Sequence, residues 1–151
     1  MAAKSTGQYI NIINDAKDAS HNTNYAAGPR NPKGDQTLPP KKEMPVKDLK
    51  ADNTPMKLKC GIHPWMDAYI WLLDTPYYAI THSDTVGDEH KVKKDDAKFG
   101  TYEIKNLPVG KVRVYAWHER AGWLNKNEGR GEEIEIKEGA ETEKDFEATP
   151  K

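Results

Sequence analysis

Between residues 56 and 60, apolar and charged side chains alternate without a break: Met56, Leu58 and Cys60 against Lys57 and Lys59. A period of two belongs to a half-buried strand, so the first set is expected to face a core and the second to face water. The same reading predicts strands at residues 8–13 (QYINII), 21–25 (HNTNY), 67–73 (DAYIWLL), 77–81 (YYAIT), 101–104, 111–117 (KVRVYAW), 132–137 (EEIEIK) and 141–148. No amphipathic helical period of useful length occurs, so the expected class is all-β, a Greek-key β-sandwich of short strands.

Residues 26–55 break the pattern. Pro29, Pro32, Pro39, Pro40, Pro45 and Pro55 punctuate a stretch whose larger apolar members are Leu38, Met44, Val46 and Leu49. Proline removes a ladder donor, so this segment is expected to be a long loop with at most short edge strands. Ordered loops of that length are usually functional or held by a partner.

Charge and composition narrow the function classes. With 151 residues the chain is long enough for one good core, and 23 Lys and Arg against 24 Asp and Glu leave a formal net charge of −1. That balance argues against nucleic acid as the main partner, because a phosphate backbone calls for a basic face. No run approaches the ~18 apolar residues of a membrane-spanning helix. The first seven residues lack the apolar centre of a signal peptide. Either a cytoplasmic setting or a periplasmic or extracellular one, with the signal already removed, is compatible with that start.

The chemistry concentrates where the best strand ends. Cys60-Gly61-Ile62-His63-Pro64-Trp65-Met66 places a thiolate, an imidazole and a thioether at three-residue steps around the single cysteine. Taken one at a time, these are a buried thiol, a turn histidine and a core methionine. Together they are the soft and borderline ligands that suit both Cu(I) and Cu(II). Pro64 stiffens the loop by fixing its own φ and restricting His63. Zinc would be better closed by a harder group than methionine.

The Cys-x-x-His-Pro-x-Met run resembles the short ligand loop of the amicyanin-like cupredoxins, the blue copper proteins. Cupredoxins carry their first histidine ligand just before an asparagine on an upstream strand, and His21-Asn22 lies 39 positions before Cys60. The resemblance covers roughly residues 9–73. It implies one mononuclear copper ion held by His21, Cys60, His63 and a long axial Met66, with Asn22 bracing the Cys60 region. It also implies an electron carrier rather than an enzyme, with a redox partner docking near Pro64 and Trp65, and Ile62 alongside. The pattern departs from the family in having one strand, not two, before His21. It departs again in continuing for about eighty residues beyond Met66.

Residues 100–114, with Asn106-Leu107-Pro108-Val109-Gly110 as a turn between two alternating flanks, resemble the carboxypeptidase regulatory-like (transthyretin-like) β-sandwich. That resemblance covers about residues 68–148 and implies a scaffold or binding surface with no catalytic residue. Residues 1–7 are expected to be a flexible tail, and 8–149 a single cupredoxin-like sandwich completed by rearranged or added C-terminal strands. The alternative is a copper-binding part, 8–73, followed by a transthyretin-like part, 74–149. His82 and His90 are expected to be solvated in charged loops, and His118-Glu119 to lie at a surface edge. The competing function is a structural or interaction module that assembles as a homo-oligomer, with or without metal.

Overall fold

The computed structural model describes residues 7–84, 88–125 and 129–149. It is essentially all-β, built from antiparallel sheets, and the described residues contain one short 3-10 turn, Asp88–His90, and no α-helix. The chain divides into two compact units, Met1–Asp74 and Thr75–Lys151. Apart from Gly7, the expected tail lies outside the described residues, as do Val86 and Gly87 of the charged excursion.

The described residues of the first unit hold six strands: β1 (Ile10–Ile13), β2 (His21–Ala26), β3 (Gly34–Leu38), β4 (Glu43–Val46), β5 (Met56–Lys59) and β6 (Asp67–Ile70). Four of them form an antiparallel sheet in the order β3-β2-β5-β6, and β1 pairs with β4 in a second. Apolar side chains from both sheets meet in one core. Val46, Leu49, Met56 and Leu72 are its buried members, and Ile10, Ile12, Tyr25, Met44, Leu58 and Ile70 pack against them. The layering is sandwich-like, and the alternation along β5 survives intact, with Met56 and Leu58 inward and both lysines exposed.

The Pro-rich stretch contributes β3 and β4. β3 runs along one edge of the four-stranded sheet, and β4 carries Pro45 opposite Asn11 of β1. Short pairing strands at an edge are where proline and glycine are tolerated. Gly34 is required in its place, because a β-carbon there would lie 2.6 Å from the Tyr25 ring of its cross-strand partner. Buried Asn14 ties the loop down, donating from Nδ2 to the carbonyls of Ala19 and Leu38.

The second unit is sparser. β7 (Gly110–Val114) pairs with β10 (Glu132–Ile136), and β8 (Trp117–His118) with β9 (Gly122–Trp123). Gly110 opens β7 at φ 111° and Asn106 sits at φ 57°, so the turn before β7 uses backbone conformations that favour these two residue types. Three expected strands do not form. Residues 77–81 make no ladder and leave Tyr78 and Ile80 at least half exposed. Residues 101–104 and 141–148 are also unpaired, although Tyr102, Ile104, Lys144 and Phe146 keep the alternating half-buried pattern. There the Tyr102 hydroxyl donates to the Lys144 carbonyl at 2.5 Å, a side-chain tie in place of a backbone ladder.

Candidate metal centre

β5 ends at Lys59, and Cys60 continues its inward-facing row, which makes the thiol buried at 5% exposure. Residues 60–66 then form the connection to β6. Two backbone bonds shape that loop. The Met66 N–H donates to the His63 carbonyl at 2.9 Å, closing a four-residue turn with Pro64 at its second position, where a fixed φ near −65° is favoured. The Cys60 N–H donates to the Met66 carbonyl at 2.9 Å and closes the loop at its base. The sequence therefore folds Cys60 and His63 back over one another.

His21 arrives from β2, the neighbour of β5 in the sheet. It shares the inward-facing row of Thr23 and Tyr25, so it faces the same side as Cys60. The three groups converge. His21 Nδ1 and His63 Nδ1 are 3.1 Å apart, Cys60 Sγ and His63 Nδ1 are 3.5 Å apart, and Cys60 Sγ and His21 Nδ1 are 3.9 Å apart. Among the described residues, His21, Cys60 and His63 are the one cluster of ligand type.

The spacing suits an ion. Bonds of about 2.0–2.1 Å to imidazole nitrogen and 2.3 Å to thiolate sulfur, the values of zinc sites, hold donor atoms roughly 3.3–3.8 Å apart. The three observed separations bracket that interval. Both histidines present the same ring atom, Nδ1, toward the thiol. The His21-Cys60-His63 cluster could bind a metal ion.

The thiol is prepared for such a role. Burial pushes its pKa up, but hydrogen bonds from His21, from the backbone N–H groups of Ile62 and His63, and from the His63 ring outweigh burial and hold it at about 6. A thiolate, the form that ligates metal, is thus available at neutral pH.

Asn22 points away from the core side and braces the loop. Its Oδ1 accepts the Gly61 N–H at 3.0 Å, and its Nδ2 donates to Asp35 Oδ1 at 2.6 Å. The β2–β5 ladder stops at the Asn24–Lys59 pair, and continuing its register brings Asn22 opposite Gly61. The asparagine side chain supplies the acceptor where the backbone ladder has ended.

Met66 lies at the end of the same loop and is 42% exposed, with its backbone engaged on both sides. Trp65 is 76% exposed, and its ring meets His63 at 5.3 Å between centroids. The other histidines lie elsewhere. His82 and His90 are not the solvated groups expected: both are half-buried, with rings 5.4 Å apart, and His82 Nδ1 lies 3.3 Å from the His90 carbonyl. His118 is spent on the β8–β9 turn, where its Nδ1 accepts the N–H groups of Arg120 and Ala121.

Comparison with protein-family models, with curated proteins and with solved structures yields no match for this chain. Asp35 is the site member the sequence reading missed. An exposed acid in a Gly-Asp-Gln-Thr run has no local signal, and only the β2–β3 pairing brings it beside Asn22.

Proposed function

We propose that this protein binds one copper ion through His21, Cys60 and His63, with Met66 as a long axial ligand, and carries single electrons between redox partners. The observation behind this reading is the convergence of one thiolate and two imidazole Nδ1 atoms within 3.9 Å, drawn from β2 and from the loop that follows β5. Two His, one Cys and a weak axial Met form the ligand set of blue-copper electron-transfer sites. The resemblance of the 60–66 loop to that of the cupredoxins supports the same conclusion. Copper held there would supply one-electron exchange between its two oxidation states.

The chain's own residues define the conditions for that exchange. Cys60 contributes a buried thiolate, and the two histidines contribute Nδ1 atoms already aimed at it. The closed turn, with its Asn22 brace, limits how far the donors move when charge changes. A four-ligand set leaves no position for substrate, which favours a carrier over an enzyme. Ile62, Pro64 and Trp65 form an exposed apolar rim beside His63, suited to the small, weak encounters of redox partners. Among the described residues no helix is long and apolar enough to cross a membrane.

The test is the visible spectrum. Copper added to the purified protein is expected to give the intense band of a thiolate-to-Cu(II) transition, absent in Cys60→Ala. A colourless protein, or a band that survives the substitution, would overturn the reading.

A second reading, an interaction module that assembles, has one observation of its own. Residues 77–81 leave Tyr78 62% and Ile80 50% exposed without a strand partner. An assembly would elute well above the 17.1 kDa of one chain.

A further inference from the structure

The Asn22 amide has two chemically different ends, and only one of them can accept the Gly61 N–H. If the amide turned over, two donors would face each other and the loop would lose its tether to β2. Something must decide the orientation. The other end of the amide meets Asp35, whose carboxylate accepts and does not donate. Asp35 therefore admits only the NH2 group, and the oxygen is left pointing at Gly61.

We propose that Asp35 is a positioning residue for the metal loop. Through Asn22 it holds the backbone N–H of Gly61, the residue next to the Cys60 ligand. The relay crosses three strands: Asp35 on β3, Asn22 on β2 and Gly61 just beyond β5. Sheet geometry explains how it is reached. Asp35 pairs with Asn24, and Asn22 is the diagonal neighbour on the same outward face. Gly61 is adapted to the contact, because a β-carbon there would stand 2.9 Å from Asn22 Oδ1. Partners one step removed from a metal's ligands orient those ligands and tune the site.

The inference draws on the copper reading for its consequence, while the clamp itself is made of protein groups alone. Its test uses both states. In the full-length metal-free protein, Asp35→Ala is expected to speed hydrogen exchange at the Gly61 amide about three- to tenfold, the range for losing one hydrogen bond. Amides of the β5–β6 ladder should be unchanged, which separates loop release from loss of the fold. Asp35→Asn keeps an acceptor oxygen but adds a donor that the turned-over Asn22 amide can meet, so Gly61 should exchange faster than in the parent, by up to the Asp35→Ala rate. Asn22→Ala should release Gly61 as fully as Asp35→Ala, and the double variant should add nothing further.

With copper bound, Asp35→Ala is expected to shift the thiolate band and speed metal loss about tenfold, with Asp35→Asn between it and the parent. Unchanged Gly61 exchange in Asp35→Ala would overturn the proposal even if the parent protein turns blue. An Asp35→Asn variant that exchanges like the parent would do the same, since an acceptor-only carboxylate would then not be what sets the Asn22 amide. Faster Gly61 exchange in a protein that never binds copper would uphold the clamp and remove the copper reading.

Discussion

His21 and His63, 42 positions apart in the chain, face each other through Nδ1 atoms 3.1 Å apart. Two imidazole nitrogens at that distance need something between them, either a shared proton or a cation, because two bare lone pairs would repel. Cys60 Sγ, 3.5 Å from His63 Nδ1, adds a negative charge that stabilises either one.

Removing either ring should therefore damage the centre. His21→Ala and His63→Ala are each expected to lower copper affinity beyond the ~10–100-fold typical of losing a supporting partner. Chelator competition measures the loss, and the thiolate band should move or vanish. An unchanged spectrum in His21→Ala would strike that residue from the ligand set.

Met66 should matter differently. A weak axial ligand tunes the potential without carrying the thiolate transition. Met66→Leu is expected to keep the band and change the reduction potential, read by voltammetry. An unaltered potential would remove the thioether from the site.

In the metal-free protein, alkylation of Cys60 should show a midpoint near pH 6. The folded thiol titrates below its unfolded value of about 8.5, so the unfolded chain binds more protons between these two pH values. The stability contributed by the thiolate is therefore full above about pH 8.5 and is lost as pH falls through about 6. Urea midpoints should rise with pH across that window, and the rise should flatten in Cys60→Ala.

Gly61→Ala should mimic partial loss of the brace. The added methyl must displace the Asn22 amide, and copper affinity should drop roughly tenfold. Isothermal titration against the parent protein checks this, and equal affinities would show that the loop adapts.

Leu49 and Met56 are the two most deeply buried large side chains, each 1% exposed. Leu49→Ala should cost about 2–5 kcal/mol of stability in denaturant unfolding, as a cavity in a packed core does. A loss below 1 kcal/mol would mean that the core is not formed as described.

The site was more legible than the fold around it. The alternation Met56–Leu58–Cys60 is a local property, and so is the step from Cys60 to His63, so neighbouring residues reveal both. Strand pairing is not local. Residues 77–81 and 101–104 have the right alternation, but a strand exists only where another backbone meets it. Gly34 and Asp35 have poor strand character, yet they pair because β2 is there to receive them. His82 and His90 looked solvated because the charges around them dominate the sequence, while the contact between their rings joins residues eight positions apart and leaves no local signal.

The placement of His21 on one strand and Cys60 and His63 beyond another has a consequence for the Pro-rich excursion between them. An ion bound to all three would act as a reversible staple across a 39-residue loop. By the chain-entropy estimate used for disulfides, a cross-link of that span removes about 4 kcal/mol of freedom from the unfolded chain. Loading the metal would then decide whether residues 26–55 stay folded under stress, and stripping it would expose that segment first to proteases.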